Sequence, residues 1–233
     1  MDILAIIPAR AGSKGVPGKN SKKLCGRPLV DYTFVAATAS SLLTKIVLSS
    51  DDDDCIAFAK AYPIETPFKR PAKLATDKAS SLSVVQHSII HYRKMGIHFD
   101  AICLLQPTTP FRKPRSIDKA IERFKTGGFD SLVSVLEVPH EYNPHWVFED
   151  DGDGSLKIAT GDDSLINRRQ ELPAAYHRDG SIYLVQTEIV MGQDSLYGKR
   201  MGFIKSDPAW YVNIDNLEDW EYAERLASMY KFD

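Results

Sequence analysis

In the N-terminal half of the chain a short apolar run is followed three times by a stretch with helical spacing, and this alternation restricts the fold most. "DILAIIPA" (2–9) precedes "PLVDYTFVAATA" (28–39), "TKIVLSS" (44–50) precedes "DDDDCIAFAKAY" (51–62), and "DAICLLQP" (100–107) precedes "PRSIDKAIERFKTGG" (114–128). The runs are too short for helices, and a strand that alternates with a helix is the unit of a parallel sheet covered by crossover helices. "SLSVVQHSIIHYRKMG" (81–96) adds a helix that ends at glycine. The expected fold is therefore α/β with a Rossmann-like, predominantly parallel sheet. From about Pro139 to Tyr176 the chain turns rich in Pro, Asn, Asp and Gly, with "HWVFE" and "SLKIAT" flanking the turn "DDGDGS". This reads as an inserted hairpin region within a single domain spanning 1–233. "GSIYLV", "RMGFIK" and "WYVNIDNLEDWEYAERLASM" then resume the main domain and close it with an amphipathic helix.

Composition narrows the function classes. A formal net charge of -2 argues against broad nucleic-acid or membrane-surface binding, so any anion site is local. No run approaches the roughly 20 apolar residues of a membrane span. Cys25, Cys55 and Cys103 are scattered and odd in number, which fits a reducing, cytoplasmic location better than a disulfide framework.

The loop after the first strand carries the strongest chemical signal. In open α/β sheets ligands bind beyond the carboxyl ends of the strands. "IIPARAGSKGVPGKNSKKL" (6–24) sits at such an end. Between Ile3 and Val30 lie six basic residues, Arg10, Lys14, Lys19, Lys22, Lys23 and Arg27, and no acidic one. Gly12, Gly15 and Gly18 permit close approach of backbone to an anion, and Ser13 adds a hydroxyl. The loop is nevertheless not a P-loop: Gly18-Lys19 is in place, but Ser13 stands at the first glycine and Asn20 at the terminal hydroxyl. It suits a polyphosphate held without Walker geometry.

"PARAGSKGVPGKN" resembles the N-terminal signature of the CMP-sialic acid synthetases, or acylneuraminate cytidylyltransferases, written R-x-x-S-K-x-x-x-x-K-N. "RPAKLATDKASS" (70–81), "LLQPTTPFR" (104–112) and "RRQELPAAYHRDGSIYL" (168–184) match the family in the same order. The resemblance implies a homodimeric nucleotidyltransferase, with the insertion as dimerisation arm, that joins CTP to a nine-carbon 2-keto sugar acid and releases pyrophosphate. It implies that Arg10, Ala11, Gly12, Ser13 and Lys19 cradle the triphosphate, with Arg10 and Lys19 neutralising charge as pyrophosphate leaves. It places Asn20, Arg70 and Ser81 at the cytidine, although Ser81 alone equally suits a helix cap. Gln106 corresponds to a sugar-contacting glutamine, Arg169 to an arginine reaching sugar acid or phosphate across the dimer, and Tyr183 to an aromatic lining the acyl pocket. Arg168 is an equally basic neighbour, and a tyrosine in "GSIYLV" is by default a core strand residue.

The family presents D-I-D before its last helix to hold Mg²⁺, with Mn²⁺ as the alternative ion. This chain has Asn213-Ile214-Asp215, one carboxylate fewer. Hard oxygen donors remain, since an amide oxygen is a legitimate ligand. "HEYNPHW" and Asp179 also depart from the pattern, away from ordinary N-acetylneuraminic acid. A cytidylyltransferase for the eight-carbon acid Kdo, a metal-dependent glycosyltransferase, and a CTP-binding protein without turnover are the competing readings. "DDDD" (51–54) reads as acidic residues at a helix start, "DDGDGS" as a hairpin turn, and His140, His145 and His177 lack zinc spacing.

Overall fold

The run after Asp2 forms β1 (Ile3–Ala9), in which every residue but Pro8 is buried. A strand covered on both faces has no polar side, which is why the sequence here shows no alternation. A computed structural model describes residues 1–230 of the chain. In chain order the elements after β1 are β2 (Lys23–Leu24), β3 (Arg27–Pro28), α1 (Leu29–Thr38), β4 (Lys45–Ser50), α2 (Asp53–Ala59), α3 (Ser81–Lys94), β5 (Ala101–Leu104) and α4 (Ser116–Gly127). They continue with β6 (Ser131–Glu137), β7 (Phe148–Asp150), β8 (Leu156–Ile158), β9 (Tyr176–Gln186), α5 (Thr187–Gly192), β10 (Met201–Lys205) and α6 (Leu217–Tyr230).

Six strands form the central sheet in the order β10-β6-β9-β5-β1-β4. β1 is parallel to β4, with Leu4 opposite Lys45 and Ala9 opposite Ser50, and parallel to β5, with Ile3 opposite Ala101. β9 runs antiparallel to β5, with Leu104 opposite Tyr183. The expected parallel-cored α/β sheet is thus present. One face of β1 (Ile3, Ala5, Ile7, Ala9) packs into a cluster with Val30 and Phe34 of α1, Cys55 and Ala59 of α2, and Ile117, Ile121 and Phe124 of α4.

A second cluster joins the first loop to the C-terminus. Val16, Leu24 and Leu29 pack with Val212, Ile214, Trp220, Ala223 and Leu226. The Lys22 ammonium also lies 4.3 Å from the centre of the Trp220 ring. α6 starts from a reciprocal cap: Asn216 Oδ1 accepts from the Asp219 amide at 2.9 Å, and Asp219 Oδ2 accepts from the Asn216 amide at 3.0 Å. This is a capping box with aspartate in the usual glutamate place. It turns the chain sharply just after Asp215.

The residues divide into two compact units, 1–134 with 179–233, and Val135–Arg178. The second contains the expected hairpin: β7 and β8 pair antiparallel, Phe148 opposite Ile158, around the 150–155 turn. There Gly152 N donates to Asp150 and Ser155 N to Asp153, so these carboxylates serve the turn. The short α5 was not legible in sequence. Its six residues, "TEIVMG", are too few for a helical period to show.

Trp220 is the largest side chain that α6 contributes to the second cluster. Trp220→Ala is expected to cost about 3–5 kcal/mol in denaturant unfolding.

Candidate active site

Three loops meet beyond the carboxyl ends of β1, β4 and β5. The first holds its shape through its own backbone and one amide side chain. Gly18 adopts φ +60, and its carbonyl accepts from the Ser21 and Lys22 amides at 3.0 and 2.9 Å. Asn20 Nδ2 donates to the Arg10 carbonyl at 3.0 Å, tying the two ends of the loop together. The Ala11 amide donates to Asp51 Oδ1 at 3.0 Å, across from the end of β4. A Cβ on Gly15 would lie 1.8 Å from the Asp215 carbonyl oxygen, so the loop can reach the C-terminal segment only with glycine there.

The segment 212–215 runs extended, and its alternation sorts its side chains. Val212 and Ile214 enter the core while Asn213 and Asp215 face away from it. The Ile214 amide donates to the Thr108 carbonyl at 2.8 Å. The Lys19 ammonium, largely buried, donates to the Ile214 carbonyl at 2.6 Å and lies 3.9 Å from Asp215 Oδ1. Burial pulls the Lys19 pKa below the ordinary lysine value; Asp215 opposes that pull and Arg10 adds to it. Asn213 Nδ2 donates to Asp215 Oδ2 at 2.6 Å, so the two residues are already neighbours through their polar ends.

On the opposite wall Arg70 is buried, donating through Nε to Ser49 Oγ at 3.1 Å and through Nη2 to the Ser49 carbonyl. Burial pushes its pKa down to about 10, partly countered by Asp51. Ser81 opens α3, but the cap is Ser80, whose Oγ accepts from the Ser83 amide at 3.1 Å. The Ser81 hydroxyl is thereby left to the cleft. Gln106 follows β5 on a turn clamped by the buried Arg112, which donates to the carbonyls of Gln106 and Ser181, at 2.8 and 2.9 Å, and to Thr33 Oγ1 at 3.0 Å.

These groups line one cavity of about 250 Å³, which brings together Arg10, Ser13, Lys19, Asn20, Arg70, Ser81, Gln106 and Asp215. Ala11 and Gly12 lie on the loop beside it and are exposed. Three expected residues are placed differently. Tyr183 is a buried residue of β9, as its strand context suggested. Asn213 is not among the lining residues, but it touches Asp215. Arg169 lies on a short exposed 3₁₀ turn of the unit Val135–Arg178, with Glu171 3.8 Å from its neighbour Arg168. A larger cavity of about 370 Å³, between α1 and residues 110–118, is mostly apolar, and the carboxylate in it, Asp118, is already bonded to Ser40 and Ser41.

Sequence reasoning missed three participants. Of the acidic run 51–54, Asp52 does cap α2, accepting from Asp54 N and Cys55 N at 3.0 and 3.2 Å. Asp51 instead accepts from the Ala11 amide of the first loop, so neighbouring carboxylates in one run take different roles. Asp77 Oδ1 pairs with Arg10 at 2.5 Å and Oδ2 with Lys14 at 2.8 Å, a contact across 60-odd residues that no local pattern signals. Asp179 is buried, accepting from Ser134 Oγ at 2.5 Å, from the Ser181 amide at 2.8 Å and from Ser206 Oγ. Its carboxylate holds strands together, and the departure from the family pattern at this position is absorbed by that network.

A parallel-cored sheet with a cation-lined loop at its carboxyl edge is the architecture of the nucleotidyltransferases. A solved structure of CMP:2-keto-3-deoxy-manno-octonic acid synthetase complexed with CTP superposes with a TM-score of 0.71, at 15% identity, over 98% of this chain and 99% of that one. The chain belongs to the cytidylyltransferase family, which it matches over residues 4–232. It is 36% identical to a CMP-N,N'-diacetyllegionaminic acid synthase of Legionella pneumophila, over 98% of this chain and 97% of that protein. It is 29% identical to a pseudaminic acid cytidylyltransferase of Campylobacter jejuni, over 97% of this chain and 96% of that protein.

Two substitutions test the geometry. Gly15→Ala is expected to push the loop away from the Asp215 backbone, lowering the melting midpoint and reducing turnover by at least about tenfold among the folded molecules, read by steady-state kinetics beside thermal unfolding. Arg10→Ala is expected to weaken nucleotide binding by roughly tenfold or more through loss of a charge-assisted contact, measured by titration calorimetry.

Proposed function

We propose that this protein transfers CMP from CTP to the anomeric hydroxyl of a sialic-acid-like nonulosonic acid, of neuraminic, legionaminic or pseudaminic type, releasing pyrophosphate. The observation that carries the proposal is the convergence of Arg10, Ser13, Lys19, Asn20, Arg70, Ser81, Gln106 and Asp215 on a single cleft. These residues come from four segments distant in sequence; three of them resemble the same family, and the fourth, Asn213-Ile214-Asp215, differs from the family's pattern by one carboxylate. The full-length relatives named for legionaminic and pseudaminic acids support a nine-carbon acceptor. The likeness to the octonic acid enzyme, at 15% identity, speaks for fold alone, so the Kdo reading is the weaker one.

In this reading the new bond joins the anomeric oxygen to the α-phosphorus, and the bond from that phosphorus to the bridging oxygen of the β-phosphate breaks. Pyrophosphate departs with the electron pair, and the hydroxyl proton passes to a phosphate oxygen or to water. Arg10 and Lys19 are fixed cations, and fixed cations stabilise charge that develops on the leaving group without reorganising. Asn20 and Ser81 face the cytidine, Arg70 supports that wall, and Gln106 both donates to and accepts from sugar hydroxyls.

Asp215 and Asn213 supply hard oxygen donors that fit Mg²⁺ or Mn²⁺. Among the described residues no three of His, Cys, Asp and Glu gather to hold a metal. One carboxylate and one amide suit an ion that arrives with the nucleotide and keeps phosphate oxygens and water in the rest of its shell. A bound divalent ion would add neutralisation of phosphate charge to that of the two cations. A homodimer fits the exposed Tyr142, Phe148 and Leu156 of the insertion, and Arg169 of that unit is the candidate to complete a neighbouring site. Three free cysteines fit a cytoplasmic location, and among the described residues no helix is long and apolar enough to cross a membrane.

The test is pyrophosphate release from CTP and Mg²⁺ with a panel of nonulosonic acids, with Kdo and the other nucleoside triphosphates as controls. Release with CTP and a nine-carbon acid is expected; CTP binding with no release from any acid assigns a non-catalytic role instead. Asp215→Ala is expected to lower turnover by about two orders of magnitude or more with the fold intact by circular dichroism, because it removes the site's one carboxylate donor.

A further inference from the structure

The carboxylate of Asp77 links the first loop of the chain to the 70–81 segment. Its oxygens take up Arg10 at 2.5 Å and Lys14 at 2.8 Å, and among the described residues neither cation has another ion pair. These cations hold the Asp77 carboxyl below the usual aspartate range. Arg10 and Lys14 belong to the phosphate loop, whereas Asp77 belongs to the 70–81 segment that carries Arg70 and Ser81 on the opposite wall. Asp77 itself lies in a turn closed by the Ala79 amide on the Thr76 carbonyl at 3.2 Å. Among the described residues its carboxylate is bonded to Arg10 and Lys14 and not to its own segment, so a side-chain rotation frees it without disturbing that turn.

We propose that Asp77 is an internal counterion for the phosphate loop: it occupies Arg10 and Lys14 while no polyphosphate is bound, and CTP binds by exchanging with it. This rests on the assignment of the loop to the triphosphate. A polyphosphate brings several negative charges to two cations held by one carboxylate, so the exchange favours it. A single phosphate carries less charge than a triphosphate and competes poorly with the carboxylate already holding both cations, which leaves the pair closed. The same exchange runs in reverse after the reaction. Once pyrophosphate has left, the CMP-sugar presents one phosphodiester charge, and Asp77 recovers Arg10 and Lys14, which favours product release. The device makes the loop selective for the charge of the leaving group as well as for its shape.

The pairs are partly exposed, and exposed pairs are weak and salt-screened, so the effect is moderate. Asp77→Asn keeps the shape of the turn residue while removing its charge. Titration calorimetry of wild type and D77N with CTP, inorganic tripolyphosphate and CMP, at low and high salt, separates the outcomes. D77N is expected to bind CTP and tripolyphosphate roughly two- to tenfold more tightly at low salt, with the gain fading as salt rises and CMP affinity unchanged. Unchanged or weaker tripolyphosphate binding by D77N, with an unaltered melting midpoint, overturns the proposal and makes Asp77 a residue that positions the two cations. If wild type itself binds neither CTP nor tripolyphosphate, it is the assignment of the loop that fails, a result distinct from either of these.

Discussion

The bond from the Lys19 ammonium to the Ile214 carbonyl is the contact on which the site depends. It joins the first loop of the chain to the segment that precedes the last helix, across 195 residues. A buried ammonium is costly unless its donors are answered. Here a carbonyl takes one donor and Asp215 stands close by, so the charge is kept inside the cleft. The apolar cluster of Val16, Leu24, Ile214 and Trp220 supplies the rigidity that makes this bond geometrically stable.

Charge balance explains the rest of the cleft. Lys19 faces Asp215, Arg10 and Lys14 face Asp77, and Asp51 lies close enough to Arg70 to raise its pKa against the effect of burial. Each basic group that could receive an anion is thus accompanied by a carboxylate contributed from another loop. The arrangement keeps a dense set of cations in a folded chain whose net charge is only -2. Under the counterion role proposed for Asp77, a ligand must compete with carboxylates already in place, which would favour polyphosphates over singly charged anions.

The substitution of asparagine for the first aspartate of D-I-D has a local physical consequence. Asn213 donates to Asp215 at 2.6 Å, where two carboxylates so close would repel unless an ion lay between them. The pair therefore needs no cation between its members to stay close.

The alternation of strand and helix, the hairpin at 150–155 and the basic loop were legible in the sequence because each depends on residues near one another in the chain: apolar periodicity, turn chemistry, glycine spacing. The resemblance of four segments to one family extended that reading to most of the cleft. Other assignments required tertiary structure. Ser80 rather than Ser81 caps α3, since one residue of helix phase decides which hydroxyl meets the backbone. Tyr183 is buried in β9, opposite Leu104 of β5, a placement set by a pairing of strands distant in sequence. Asp51, Asp77 and Arg112 act through partners 40, 67 and 79 residues or fewer away, distances at which sequence spacing carries no geometric information. What the sequence by itself determined was the alternating pattern and the inventory of cations; which carboxylate answers which cation was decided only by folding, because electrostatic pairing depends on separation in space and not along the chain.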